Sequence, residues 1–373
     1  MNEVQKFLSE WIYKIPYDAS EMESFRDKVD DFFKQFNKSI KRIPVQKWNV
    51  IFNTNDTEGF TPEEYRNRIK LLHRKLLDVL DNYLNGLPVE AYKNFEKLIL
   101  SIKTPNTIDN YFECFDFDIN SISNLLYRVR KIGIEEQKGM SSASMFHIPY
   151  SKRGLVSNQR YSINGHPILY LGKSIDVCIK ELNLQSDENV FVSKFEFQNK
   201  NENKHKLILL DLRIPNINNR LGNEELLKLL FAFPLIAICS FRVKSSNASF
   251  KEEYIFPQLM LQFVRSFKVE KIVKYDGIIY TSTKISAAER DKFTDGEFDN
   301  IAIPSNGFKS LDKLDYCRKL CQQFKVSEPI PLKFNTEIDK SVLEKLVRFK
   351  TEIIKPCENI DLKKIPIEMK IKK

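Results

Sequence analysis

Three polar side chains of different chemistry fall on one short stretch of this chain: Arg160, Tyr170 and Glu181, spaced ten and eleven residues apart. Within 159–172, Asn164-Gly165 reads as a turn, Pro167 cannot continue a helix, and 168–171 reads as a strand. Ser174 then suits the cap of a helix with Asp176 in its first turn, an apolar face of Ile175, Ile179 and Leu182, and Glu181 toward its end. A turn, a strand, a turn and a helix thus present a guanidinium, a phenol ring and a carboxylate. On spacing alone these also fit a surface arginine, a core tyrosine and a solvated glutamate. Other reactive types are sparser. Cys317 and Cys321 stand one helical turn apart, but with no second Cys/His pair nearby they read as half-buried helix residues, and no structural metal is expected. His147 and His166 lie close to the segment and read as structural, while His205 between Lys204 and Lys206 reads as solvated.

The elements that must position these groups change character along the chain. Residues 1–120 read as helical: Val4, Leu8, Trp11 and Ile12 recur at helical spacing, as do Phe25, Val29, Phe32, Phe33 and Phe36. Thr61-Pro62-Glu63-Glu64 starts a helix that runs through Ile69, Leu72, Leu76 and Leu80 until Gly86 and Pro88 stop it. Another spans 89–102. Beyond Pro105, short β-rich runs occupy 167–171, 190–197, 207–212, 241–243, 278–280 and 301–303. Helices are expected between them at 175–182, 224–231, 254–267 and 310–324. The apolar run 229–241 contains Pro234 and reads as a buried strand or short core helix. Strand and helix do not alternate regularly, so the expectation is α+β: an N-terminal helical bundle followed by an irregular mixed or antiparallel sheet. Domains are expected at 1–120 and 121–325, with a Lys-rich peripheral segment at 326–373 carrying a short helix near 341–354.

Composition narrows the classes. The 373 residues are 42% hydrophobic with 28 Phe and 14 Tyr, ample for a core, and 11 Gly argue against a Gly-rich nucleotide-binding or repeat protein. Six Cys are too sparse for a disulfide framework. No apolar run reaches a membrane-spanning length, and Glu3 and Glu10 stand where a secretory leader would need a basic start and an apolar stretch, so a cytoplasmic location is expected. The net charge of +9 is uneven: residues 1–120 carry −3 and the remainder +12. The basic part favours an anionic ligand, but there is no Arg/aromatic array of an RNA-binding sheet, and nucleic acid is not expected as the primary ligand.

The block Gln159-Arg160-Tyr161-Ser162-Ile163-Asn164-Gly165-His166-Pro167, followed by Tyr170 and Glu181, resembles the motif of the RES domain, named for its Arg, Glu and Ser. Leu126-Tyr127-Arg128-Val129 resembles the Tyr-Arg pair that opens that domain, and Tyr254–Leu259 with 275–282 resembles its end, where the Ser is Ser282. The resemblance covers about residues 120–305. Gln159, Tyr161 and Ser162 depart from the family's Gly, Trp and Asn. It implies an ADP-ribosyltransferase-like fold and a toxin that cleaves the nicotinamide–ribose bond of NAD, by hydrolysis or phosphorolysis, as part of a toxin–antitoxin or phage-defence system. NAD is then substrate and no cofactor is implied. Glu181 would stabilise the oxocarbenium-like ribosyl cation. Arg128 and Arg160 would hold the pyrophosphate, with Arg153 as the replacement for Arg128. Tyr170 would stack on a base, and Ser282 would hydrogen-bond the nicotinamide amide or a phosphate. An antitoxin or sensor protein, and a second copy of the chain, are the implied partners. Transfer of ADP-ribose to a macromolecule is the alternative outcome of the same chemistry.

The helical region carries a further resemblance. Arg66-Asn67 followed by His73 is similar to the motif of HEPN ribonucleases, in which Arg and His act on an RNA phosphate. Longer RES proteins carry HEPN-like helices ahead of the catalytic domain, so a helical region of that ancestry without ribonuclease activity is the expectation, with cleavage through Arg66 and His73 the alternative.

Overall fold

A computed structural model describes residues 2–18, 24–52, 61–102, 115–118, 125–133, 139–182, 189–198, 207–215, 221–269, 272–290, 296–306 and 315–333. In chain order come α1 (Glu3–Tyr13), α2 (Phe25–Ile40), α3 (Val45–Phe52), α4 (Pro62–Leu84) and α5 (Pro88–Ser101). Then follow β1 (Asp116–Asp118), β2 (Leu125–Lys131), β3 (Ile168–Gly172), α6 (Ile175–Leu182), β4 (Asn189–Phe197) and β5 (Ile208–Leu212). The chain continues through α7 (Asn223–Cys239), α8 (Ile255–Ser266), β6 (Lys268–Val269), β7 (Ile272–Val273), β8 (Gly277–Thr281), α9 (Ala287–Arg290) and β9 (Asp299–Pro304). Last are α10 (Arg318–Gln323), β10 (Phe324–Val326) and β11 (Ile330–Lys333). The fold is α+β, with helices leading and a mixed sheet following. No helix among the described residues is long and apolar enough to cross a membrane.

Two compact units share these elements, each built from several stretches of chain. The first contains Met1–Ser121, Ser157–Asn164 and Leu207–Ala302. Its helices start and stop where capping chemistry dictates. Thr61 and Glu64 form a capping box at α4 with Pro62 at the first helical position. At the other end, Gly86 takes φ +78°, and the Gly86 and Leu87 amides return to the Tyr83 and Asn82 carbonyls. The apolar stripes of α1 and α2 meet in an aromatic cluster: Trp11 lies 5.3 Å from Phe32 and 5.1 Å from Phe36, both edge-on. Phe32 and Phe36 also touch Phe233 of α7. Strands β1 and β5 pair antiparallel, β5 and β8 parallel, and β8 and β9 antiparallel.

The apolar run with Pro234 is neither a strand nor a short helix: α7 extends over 17 residues, buried on all sides from Phe231 to Cys239. Proline should leave the carbonyl four residues earlier, that of Leu230, without a helical partner. The Tyr65 hydroxyl of α4 donates to that oxygen at 2.9 Å, so the buried helix passes through the proline with no orphaned carbonyl there. The expected strand at 241–243 does not form. Phe241 is instead fixed by packing on Phe25 and Phe32, and its carbonyl accepts from a side chain.

The second unit contains Ile122–Val156, Gly165–Lys206 and Ile303–Lys373. Here β2 lies between β3 and β4, antiparallel to both, and β10 and β11 pair antiparallel with β4. Of the helix expected at 310–324, the described part is α10; the helix expected near 341–354, and His205, lie outside the described residues. Cys321 is disulfide-bonded, whereas Cys178, Cys239 and Cys317 are free thiols.

Candidate active site

In the second unit the local sequence seats α6 on β3 and β2. The Ser174 hydroxyl accepts from the Val177 amide at 3.1 Å, capping the helix. Gly172 lets it come close: a Cβ there would stand 2.6 Å from Cys178 Sγ and 2.7 Å from Val177. The Cys178 thiol donates to the Tyr127 carbonyl at 3.4 Å, and burial pushes its pKa up to about 12, so it is a neutral tether rather than a nucleophile. Tyr127 faces Gly172 across the β2–β3 ladder.

This packing groups three of the residues singled out from sequence. Arg128 donates to the Phe146 carbonyl at 2.8 Å, and Arg130, two residues on, to the Ser144 carbonyl. Desolvation, with Arg130 adding repulsion, pulls the Arg128 pKa down to about 9, while Cys178 and Tyr170 act in the opposite sense. The group remains a cation at neutral pH. Tyr170 is half-buried on β3 and within electrostatic reach of Arg128. Glu181, exposed near the end of α6, acts electrostatically on Cys178, as Arg128 does. A desolvated cation, a ring and a solvent-facing carboxylate therefore share the surroundings of one short helix. Arg153 is exposed in a 3-10 stretch (Tyr150–Leu155), where its Nε donates to the Tyr150 carbonyl at 3.4 Å.

His147 is locked in place. Its Nδ1–H donates to the Ile148 carbonyl and its Nε2 accepts from the Cys317 amide, both at 2.8 Å. Burial, then Arg128 and His166, hold its pKa down to about 4 against the opposing backbone bond to Ile148. A neutral ring with both nitrogens committed is a structural part.

The first unit holds Arg160 and Ser282. Arg160 is 7% exposed. Its Nη1 donates to the Cys239 carbonyl at 3.0 Å, and its Nη2 to the Phe241 carbonyl at 2.9 Å and the Thr283 hydroxyl at 2.8 Å. The guanidinium thus closes the negative end of α7. The loop that carries it is pinned by Gln258 of α8, whose amide donates to Asn158, to the Gln159 carbonyl and to Ser162. Ser282 is fully buried; its hydroxyl accepts from the Lys284 amide at 3.2 Å. Arg130, Cys178, Gln258 and Thr283 were not anticipated in these roles. Gln258 and Thr283 lie far along the chain from Arg160, and nothing local in the sequence marks the Cys178 thiol as a partner of the Tyr127 carbonyl.

In the helical region, Arg66 pairs with Glu63 at 3.3 Å, and His73 Nε2 lies 3.0 Å from Asp30 with its ring 5.2 Å from Phe33. Desolvation lowers the His73 pKa despite Asp30, so the ring is a neutral packing partner of α2.

The chain is 25% identical, over 328 residues, to a protein of Bacillus subtilis (strain 168) named "Putative toxin YopC"; the match covers 85% of this chain and 68% of that one. No family model matches the chain. No solved structure matches it.

Proposed function

We propose that this protein is a toxin-type enzyme of RES character that cleaves the nicotinamide–ribose bond of NAD, with a helical region of HEPN-like ancestry. The observation that carries the reading is the grouping of Arg128, Tyr170 and Glu181 around α6. The RES-like motif and the name of the Bacillus subtilis relative support it. Cleavage builds positive charge on the ribosyl carbon only as the bond breaks. A carboxylate placed there, Glu181, lowers the barrier without merely tightening substrate binding. Arg128 supplies a diphosphate with a desolvated cation whose strength is not spent on bulk water. Tyr170 offers a ring face to a base. Arg160, with its donors bound to Cys239, Phe241 and Thr283, acts as a positioning residue that fixes the motif's loop. An antitoxin or sensor protein is the partner such a toxin requires.

The test is incubation of purified protein with NAD, with and without phosphate, and identification of products by mass. Release of nicotinamide is expected, and Glu181→Gln should lower it by about 10²–10³ with the fold unchanged. Undiminished turnover in that variant refutes the assignment of Glu181, and absence of NAD loss in the wild type refutes the function. ADP-ribose, its phosphate ester, or a modified macromolecule among the products identifies the acceptor.

A further inference from the structure

Strand β2 carries two arginines on one face. Arg128 and Arg130 stand two residues apart, a repeat of roughly 6.6 Å along a strand, so both side chains leave the same side of the sheet. Folding holds the two heads in the same way. Arg128 gives its Nη1 to the Phe146 carbonyl at 2.8 Å, and Arg130 gives its Nη1 to the Ser144 carbonyl, both acceptors lying in or just after one 3-10 turn (Ser142–Met145). Among the described residues neither arginine makes another hydrogen bond or an ion pair. In each head this leaves over the Nε and Nη2 edge, the one that meets two phosphate oxygens side by side. No carboxylate stands opposite them: their partners across the β2–β4 ladder are Ser193 and Phe191. Asp315, beside the Tyr316 ring that Arg130 influences, is committed to the Ser151 amide and hydroxyl. Two half-buried like charges, desolvated and repelling, cost the fold free energy that no fixed carboxylate returns. An anion seated across both returns it.

We infer that Arg128 and Arg130 form a paired site for a diphosphate, one phosphate group on the Nε and Nη2 edge of each, and that Arg130 makes the site prefer a diphosphate to a single phosphate. A lone guanidinium grips one phosphate group through two parallel bonds and has no second fork for its neighbour. A second arginine at the strand repeat gives the other group its own pair of donors, and the bound charge cancels the repulsion between the two cations. The inference rests on the reading of Arg128 as the cation that meets the substrate's diphosphate, and it adds Arg130 as the residue that sets the substrate class.

The experiment is titration calorimetry of the full chain, free of divalent cations, with pyrophosphate, phosphate, ADP and AMP. Pyrophosphate is expected to bind at least about tenfold tighter than phosphate. Arg130→Gln should weaken pyrophosphate by about 10- to 100-fold and phosphate by no more than about threefold. Arg130→Lys, a charge without the fork, should recover only part of the loss. ADP that follows pyrophosphate, with AMP following phosphate, identifies a nucleotide as the source of the diphosphate; pyrophosphate binding without ADP binding identifies a free anion, and both support the pair. Pyrophosphate no tighter than phosphate in the wild type, or pyrophosphate binding indifferent to Arg130→Gln, overturns the inference. Nicotinamide release alongside such indifference sinks the pair and spares the function, whereas Arg130-dependent ADP binding with no nicotinamide released from NAD sinks the function and spares the pair.

Discussion

The proline within α7 makes a quantitative claim about a residue far away in sequence. Pro234 has no amide hydrogen for the Leu230 carbonyl, and Tyr65, fully buried, supplies the missing donor at 2.9 Å. Burial raises the Tyr65 pKa well above its ordinary value, so the hydroxyl is a donor at every working pH. Tyr65→Phe leaves a buried carbonyl unpaired, and the expected cost is about 1–3 kcal/mol, the desolvation penalty of one lost acceptor bond. Pro234→Ala restores an amide at the right place, so the same Tyr65→Phe change in that background should cost markedly less. The two substitutions are then coupled by about 1–2 kcal/mol in a double-mutant cycle, well outside the roughly 0.5 kcal/mol within which independent sites add. The assay is urea unfolding of the four proteins followed by helical circular dichroism. Additive behaviour would refute the reasoning, because the hydroxyl would then be acting through packing and not through the orphaned oxygen.

Two further outcomes follow from buried polar groups of the two units. His147, held neutral with a pKa of about 4 by burial, must gain a proton on unfolding, where its pKa returns to about 6.5. Its contribution is therefore complete above about pH 6.5 and is lost as pH falls toward 4, amounting to about 2 kcal/mol by pH 5; a ring that titrates by NMR between pH 6 and 7 in the folded protein would refute this. Arg160→Lys replaces a fork that spans Cys239, Phe241 and Thr283 with a single point charge, so stability should fall by about 1.5–3 kcal/mol in thermal unfolding, and unchanged stability would show that the three bonds contribute little.

Much of the architecture was legible because it is local. Thr61-Pro62-Glu63-Glu64 names a helix start, Gly86 its end, and the turn–strand–turn–helix around Gly172 and Ser174 forms as its turn residues require. What escaped was set by contacts far apart in the chain. Propensity at Pro234 argues for a break; the burial of α7 on all sides carries the helix through, and Tyr65, more than 160 residues away, pairs the carbonyl that the proline orphans. Strand β2 was read for its Tyr-Arg pair and not as a strand, since 125–131 carries two arginines and a lysine and lacks clean alternation. Both arginines are accommodated because the carbonyls of Phe146 and Ser144 face them.

The same reasoning separates two arginines that look alike in sequence, each next to a tyrosine and each in a motif block. Arg160 lies where a helix ends. Carbonyls at a helix C-terminus lack helical partners, and Cys239 and Phe241 draw in the nearest strong donor, which then satisfies structure before it can serve a ligand. Arg128 lies on a strand whose backbone is already paired, and among the described residues it gives one bond, to Phe146, while its pKa, lowered by desolvation to about 9, still leaves it charged at neutral pH. An arginine binds an incoming anion with the donors that folding has left over. On the proposed function, that criterion makes Arg128 the candidate for the diphosphate, and the conspicuous motif arginine owes its place to the end of α7.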